Sequence, residues 1–197
     1  GKGEKFKVGE TFKNSQVANT VVTIIVMAAM TALYINLDKL GQPEELLPLI
    51  RPYYLVLLAS IPFVLWFNGF KQFTDGITET RISMWILLTG NILNIIGNYI
   101  LIYGKLGLPE MGLTGAGIST LASRIIMVVI YIVLFFGTKK YQEFKTGFLK
   151  GYINRNDFCL LNKLGWPIAG QVGMETASFS LSAIMVGWLG ATGLAAH

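Results

Sequence analysis

The stretch ISMWILLTGNILNIIGNYILIYG, residues 82–104, decides the fold, because its 23 residues include no Asp, Glu, Lys or Arg. A helix of about 20 apolar residues, rising 1.5 Å per residue, spans the hydrocarbon core of a bilayer. Two earlier runs, residues 17–35 and 52–70, are equally free of charged residues. These three runs are therefore predicted to be transmembrane helices.

Two later apolar runs each contain a single charged residue. Residues 112–136 contain Arg124, and residues 164–196 contain Glu175. Hydrophobic residues make up 53% of the chain and charged residues 14%, with a mean hydropathy of +0.55. Soluble domains carry about 25% charged residues. The sequence thus predicts an all-α integral membrane protein with five spans.

Basic residues in the connections predict the orientation, because Lys and Arg are retained on the cytoplasmic side of a membrane. Residues 1–16, 71–81 and 137–163 carry 12 of the 16 Lys and Arg residues. We therefore expect a cytoplasmic start and a fifth span that runs from inside to outside. The net charge of +5 follows from this topology, so no nucleic-acid partner is expected.

The counts of cysteine and histidine argue against an enzyme. Cys159 is the single cysteine and His197 the single histidine. The chain therefore has no set of residues for a Cys/His metal cluster or a Ser-His-Asp triad. We predict neither catalytic activity nor a bound cofactor.

Polar residues inside the third span are predicted to face other helices. Asn91, Asn94 and Asn98 lie at i, i+3 and i+7, so they share one helix face. An amide in a bilayer needs a partner, because an unsatisfied polar group costs several kcal/mol there. Packing against another helix and contact with a substrate cavity remain two open interpretations.

Small residues indicate close helix packing beside these amides. Glycines recur every seven residues along the third span, and a small-xxx-small pattern opens the fourth, which is typical of helices that approach closely in lipid. The residues are Gly90, Gly97 and Gly104, followed by Gly115, Ser119 and Ser123.

The fifth span carries a polar stripe on one helix face. Its members, at spacings of four, four, three and four, are Pro167, Gln171, Glu175, Ser178 and Ser182. Insertion scales put an acidic or basic side chain at the centre of a span at about +2.5 to +3.5 kcal/mol. Glu175 is therefore predicted to be functional. Arg124 is predicted to be structural, either paired with a carboxylate or reaching towards an interface.

The connection at residues 137–163 interleaves bases with Tyr141, Phe144 and Phe148 at helical spacing. This pattern predicts a segment on the inner membrane surface, with the aromatic rings at the lipid boundary and the lysines towards anionic lipid. The first 16 residues, with Phe6 and Phe12 among four lysines, are predicted to be a weaker version of the same arrangement.

Two stretches resemble a known transporter family. GNILNIIGNYILIYGKLGLPEMGLTGAGISTLASR, residues 90–124, is similar to the region of helices five and six in multidrug and toxic compound extrusion (MATE) transporters. MVGWLGATGLAAH, residues 185–197, resembles the element that closes the first helix of each half. The resemblance covers nearly the whole chain and implies helices three to seven of twelve, in a fold of two six-helix bundles.

The same resemblance implies the domain organisation. Residues 1–136 would belong to the amino-terminal bundle, residues 137–163 would be a cytoplasmic linker, and residues 164–197 would be the first helix of the carboxy-terminal bundle. The abrupt ends of the chain also predict a piece of a longer protein, whose remaining helices would be its partner within the same chain.

The function implied is cation-coupled export of organic cations and drugs across the cytoplasmic membrane. In the NorM-type branch, a glutamate of the seventh helix takes part in cation binding, and Glu175 matches it. Gln171 and Ser178 are the expected neighbouring oxygen donors, and the coupling ion would be Na⁺ or H⁺. Two alternatives remain open, namely a flippase for lipids or lipid-linked oligosaccharides and a membrane scaffold without transport activity.

Overall fold

The computed structural model describes residues 2–36 and 47–153, together with Cys159 and Lys163. The chain divides into two units, Gly1–Ile153 and Asn154–His197. The described residues of the first unit form helices and their connections. The fifth predicted span, residues 164–196, lies outside the described residues.

Five α-helices build the described part of the first unit. Their bounds are α1 Lys2–Ile35, α2 Leu47–Gly76, α3 Thr80–Ile102, α4 Gly112–Gly137 and α5 Gln142–Lys150. A 3₁₀ turn, Lys139–Tyr141, joins α4 to α5. The first four helices are long and apolar enough to cross a membrane, so they are candidates for the first four predicted spans.

The amino-terminal segment is a continuation of α1, so its predicted placement on the membrane surface is wrong. Helix α1 has 34 residues and a length of about 50 Å, against a hydrocarbon core of about 30 Å. Lysine and glutamate are good helix formers. The charged residues therefore limit the apolar span, which begins near residue 17, but they do not interrupt the helix.

The helices pack in an order that differs from their order in the chain. Helix α3 packs on α4, α4 on α2, α2 on α1, and α1 on α5. Helix α4 thus lies between α2 and α3. Its buried positions are small in the first half of the helix and large in the second half, where they are Val128, Tyr131 and Phe135.

An aromatic cluster forms the core at the end of the unit predicted to be cytoplasmic. Phe12 stacks on Phe73 with ring centroids 4.6 Å apart, and it meets Phe135 edge-on at 5.4 Å. Tyr141 and Phe144 are 3% and 8% exposed. The rings of residues 137–163 were predicted to lie at the lipid boundary, but these two pack inside the protein, because α1 extends far enough to cover them.

Helices α1 and α5 cross where both have a glycine. A Cβ built on Gly9 would lie 2.1 Å from the carbonyl oxygen of Phe144, and one on Gly147 would lie 2.0 Å from the carbonyl oxygen of Phe6. The two backbones are therefore closer than any side chain at these positions permits.

Two charged side chains of α1 hold the end of α5. The Nζ of Lys13 donates to the carbonyl oxygen of Gly151 at 2.9 Å. The backbone N–H of Tyr152 donates to Oε1 of Glu10, also at 2.9 Å. We call the glycine crossing and these two hydrogen bonds the α1–α5 clasp.

Candidate transport site and its polar networks

The predicted site residues separate into two groups. Pro167, Gln171, Glu175 and Ser178 lie outside the described residues, so their roles stay predictions. The others, on α3 and α4, are Asn91, Asn94, Asn98 and Arg124.

Asn94 joins α3 to α4 by polar contacts. Its amide donates to Oγ1 of Thr120 at 3.2 Å, and the hydroxyl of Ser119 donates to the backbone carbonyl of Asn94 at 2.9 Å. Hydrogen bonds between helices in a membrane contribute about 0.6 kcal/mol on average. The packing interpretation therefore accounts for this residue.

The side-chain oxygen of Asn98 has no hydrogen-bond partner among the described residues, whereas that of Asn94 has one. The Asn98 amide donates to Oδ1 of Asn94 at 3.3 Å. Its own Oδ1 is buried and has no hydrogen-bond partner in the described part of the chain. Asn91, one turn away from Asn94, is exposed. The three amides therefore share a helix face but form no single network.

Close packing of α3 on α4 depends on small residues, as predicted. A Cβ on Gly97 would lie 2.4 Å from Oγ of Ser119, and one on Gly115 would lie 2.7 Å from the carbonyl oxygen of Leu101. Gly104, the third predicted member of the glycine ladder, lies instead in the turn after α3, with φ +60°. A left-handed backbone favours glycine there.

Arg124 contacts a hydroxyl group. Its Nη1 donates to Oγ of Ser60 on α2, and Ser60 is 1% exposed. The Ser60 hydroxyl in turn donates to the carbonyl oxygen of Leu57 at 2.7 Å. The described partner of this cation is thus a buried hydroxyl that links α4 to α2, and a carboxylate partner or a reach towards an interface stays a prediction.

A larger network, which the sequence did not reveal, joins α2, α3 and α4 near the ends that are predicted to be cytoplasmic. Ser83 donates to Oδ1 of Asp75 at 3.0 Å, and Tyr131 donates to Ser83 at 3.0 Å. Thr74 lies 2.7 Å from the Ser83 hydroxyl. Lys71 binds the other carboxylate oxygen of Asp75 at 2.9 Å. This network fixes the α2–α3 turn against α4.

One local signal for this network is present in the sequence. Lys71 and Asp75 are an i, i+4 pair of opposite charges, as on any helix surface. Ser83 and Tyr131, however, are 48 residues apart in the chain, and neither belongs to a motif. Only the packing of α3 on α4 brings them together.

Two buried tyrosines allow a matched test of this network. Tyr131 and Tyr141 are 2% and 3% exposed, but the Tyr141 hydroxyl has no hydrogen-bond partner among the described residues. Tyr131→Phe removes the hydrogen bond to Ser83, while Ser83 keeps its contacts with Asp75 and Thr74, so we expect a loss of about 0.5–1.5 kcal/mol in unfolding free energy. Tyr141→Phe should be neutral or slightly stabilising. Thermal unfolding of the full-length variants in detergent measures both, and equal losses would contradict the network.

Two groups in the connection between α4 and α5 also predict how the stability of the protein depends on pH. A hydrogen bond to Glu79 raises the pKa of Lys140 above 10.5, and burial raises the pKa of the Tyr141 phenol above 10.0. The folded state therefore keeps protons that the unfolded state releases, so stability should fall as the pH rises through and above about 10. Melting temperatures measured from pH 8 to about pH 11 should fall less steeply for Tyr141→Phe. The exposed control, Tyr152→Phe, should behave like the wild type.

These features define a multi-pass membrane protein whose spans are joined by buried amides, hydroxyls and close glycine contacts. The family model described as MatE matches residues 1–100. The chain therefore belongs to the MATE family, a family of transporters and not of enzymes.

Curated relatives agree with this assignment. The chain is 32% identical over 191 residues to a probable multidrug resistance protein NorM of Photorhabdus laumondii, which covers 96% of this chain and 42% of the relative. It is 26% identical over 197 residues to the multidrug resistance protein NorM of Vibrio cholerae, covering 100% of this chain and 43% of the relative. The chain thus spans less than half the length of these relatives.

Proposed function

We propose that the full-length protein is a cation-coupled antiporter that exports organic cations and drugs across the cytoplasmic membrane. The observation that carries this proposal is the similarity to NorM multidrug resistance proteins along nearly the whole chain. Transporters of this kind alternate a midplane site between the two sides of the membrane. We propose alternating access as the mechanism here.

Glu175 is the proposed coupling group, with Gln171 and Ser178 as neighbouring oxygen donors. A carboxylate in a cavity of low dielectric constant binds Na⁺ or H⁺ with an affinity that depends on solvation. Opening of the cavity to the other side changes that solvation. Among the described residues, the charge-free runs of α1 to α3 and the span in α4 contain no carboxylate, so Glu175 is the acidic residue that this chain offers within a predicted span.

The described helices also support a cationic substrate over an anionic one. Within the described parts of the predicted spans, Arg124 is the one basic residue, and its guanidinium already donates to Ser60. A flippase for anionic head groups would require more exposed Arg and Lys. The unpaired acceptor of Asn98 is a candidate for contact with a donor group on a substrate.

Reconstitution of the full-length protein in proteoliposomes tests the function. We expect efflux of a fluorescent organic cation when a Na⁺ or H⁺ gradient is imposed, and no efflux of an anionic dye of similar size. Transfer of an anionic lipid analogue without any dependence on the gradient would instead support the flippase. A protein that moves neither compound under either gradient would support the scaffold.

A further inference from the structure

Helix α5 lies beside the end of α4, a candidate membrane span. It begins at Gln142, five residues after the end of α4 at Gly137, so it cannot move far from the end of that span. Lys145 lies over the ring of Phe136, with Nζ 5.6 Å from the centroid, and it donates to the Phe136 carbonyl at 3.3 Å. One edge of α5 is therefore level with the last turn of a transmembrane helix.

The two sides of α5 differ in what covers them. Phe144 and Gly147 are buried against α1 and the aromatic cluster. On the other side, Leu149 is 56% exposed, and Tyr152 and Ile153, just after the helix, are 83% and 58% exposed. Large apolar side chains that are exposed together at a span end suit the boundary between head groups and acyl chains.

Charge on α5 is also divided between its sides. Glu143, the acidic residue of the helix, is paired with Lys5 of α1 at 3.3 Å. Lys150 at the end of the helix is exposed, and Lys145 projects at the Phe136 edge. Because α1 neutralises the carboxylate, the exposed side of the helix is positively charged.

We propose that the exposed side of α5, with Lys145, Leu149, Lys150 and Ile153, binds anionic phospholipids of the cytoplasmic leaflet. The lysines contact the phosphate groups, and the two apolar side chains enter the boundary region. Each lysine near an anionic surface contributes about fivefold in affinity at moderate salt. The α1–α5 clasp holds this surface in place before lipid binds. The proposal does not depend on the transported substrate.

A reporter at Thr146 tests this surface in the full-length protein. Thr146 is exposed and lies one turn before Lys150, so Thr146→Cys in a single-cysteine background can carry a fluorescent label. The labelled protein is then placed in nanodiscs that contain nitroxide-labelled phosphatidylglycerol or, at the same density, nitroxide-labelled phosphatidylcholine. We expect stronger quenching by phosphatidylglycerol, which increases as the salt concentration falls.

Variants that remove or keep the positive charges of Lys145 and Lys150 test the proposal most directly. Lys145→Gln with Lys150→Gln should lower the preference for phosphatidylglycerol by about fivefold for each lysine, whereas Lys145→Arg with Lys150→Arg should retain it. Lys105→Gln, which removes a base from the opposite end of the unit, should have no effect. Equal quenching by both lipids would overturn the anionic specificity. A label that neither lipid quenches would show that protein covers this side of α5, and would also overturn the proposal.

Discussion

Glu175→Gln is expected to abolish gradient-driven efflux while leaving drug binding intact. The amide has nearly the same shape as the carboxylate, but it neither takes up a proton nor carries the negative charge that holds Na⁺. We expect the rate of efflux to fall by about tenfold or more, equivalent to about 1.4 kcal/mol. Efflux of a fluorescent cation from proteoliposomes, under Na⁺ and H⁺ gradients imposed separately, measures the effect.

The matched control for this experiment is Glu175→Asp, which keeps the charge and shortens the side chain. It should retain part of the activity and respond to the same gradient as the wild type, and that gradient identifies the coupling ion. Drug binding without a gradient, measured in the same preparations, separates coupling from folding. If Glu175→Gln transports normally, the residue is structural and coupling belongs to helices outside this chain.

Gly147→Val is expected to release α5 from α1. The new Cβ would lie 2.0 Å from the carbonyl oxygen and 2.8 Å from the carbonyl carbon of Phe6. Because these are backbone atoms of a continuous helix, neither side can yield without separating the two helices. We expect a loss of about 3 kcal/mol, at the upper end of the range for overpacking. Thermal unfolding and limited proteolysis of α5 in the full-length protein measure it.

Thr146→Val provides the control for the glycine variant. It places the same side chain at the neighbouring position of α5, where residue 146 is exposed. We expect little change in stability and no new cleavage in α5. If the two variants unfold and are cleaved alike, the crossing of α1 and α5 is not as tight as the structure shows.

The spans could be predicted because a bilayer imposes a strong requirement on sequence. A long run without charged residues, such as residues 82–104, is stable in few environments other than a bilayer. The helix ends could not be predicted in the same way. Lys13 and Lys71 end apolar runs, yet α1 and α2 continue past both, because backbone hydrogen bonding tolerates charge where water is near.

The partners of individual side chains were harder to predict than the spans. The spacing of Phe144 and Phe148 indicates one amphipathic face, but the same face suits lipid and protein equally. The decision depends on α1, whose Gly9 allows close approach, and no local pattern in α5 contains that information. The helical spacing of Asn94 predicted a buried face but left packing and a substrate cavity open, and its partner Thr120 emerged only from the packing of α3 on α4. The role of Glu175 stays a prediction.

The α1–α5 clasp has a consequence for the order in which the chain folds during synthesis. Glu10 and the backbone of Tyr152 are separated by 142 residues, so Glu10 leaves the ribosome well before its partner does. At about 5–20 residues per second, this interval lasts roughly 7–28 s. During that time Phe12 and Gly9 have no partner on α5. The start of α1 is therefore synthesised well before its packing is complete, which leaves it exposed to proteases and chaperones in the nascent protein.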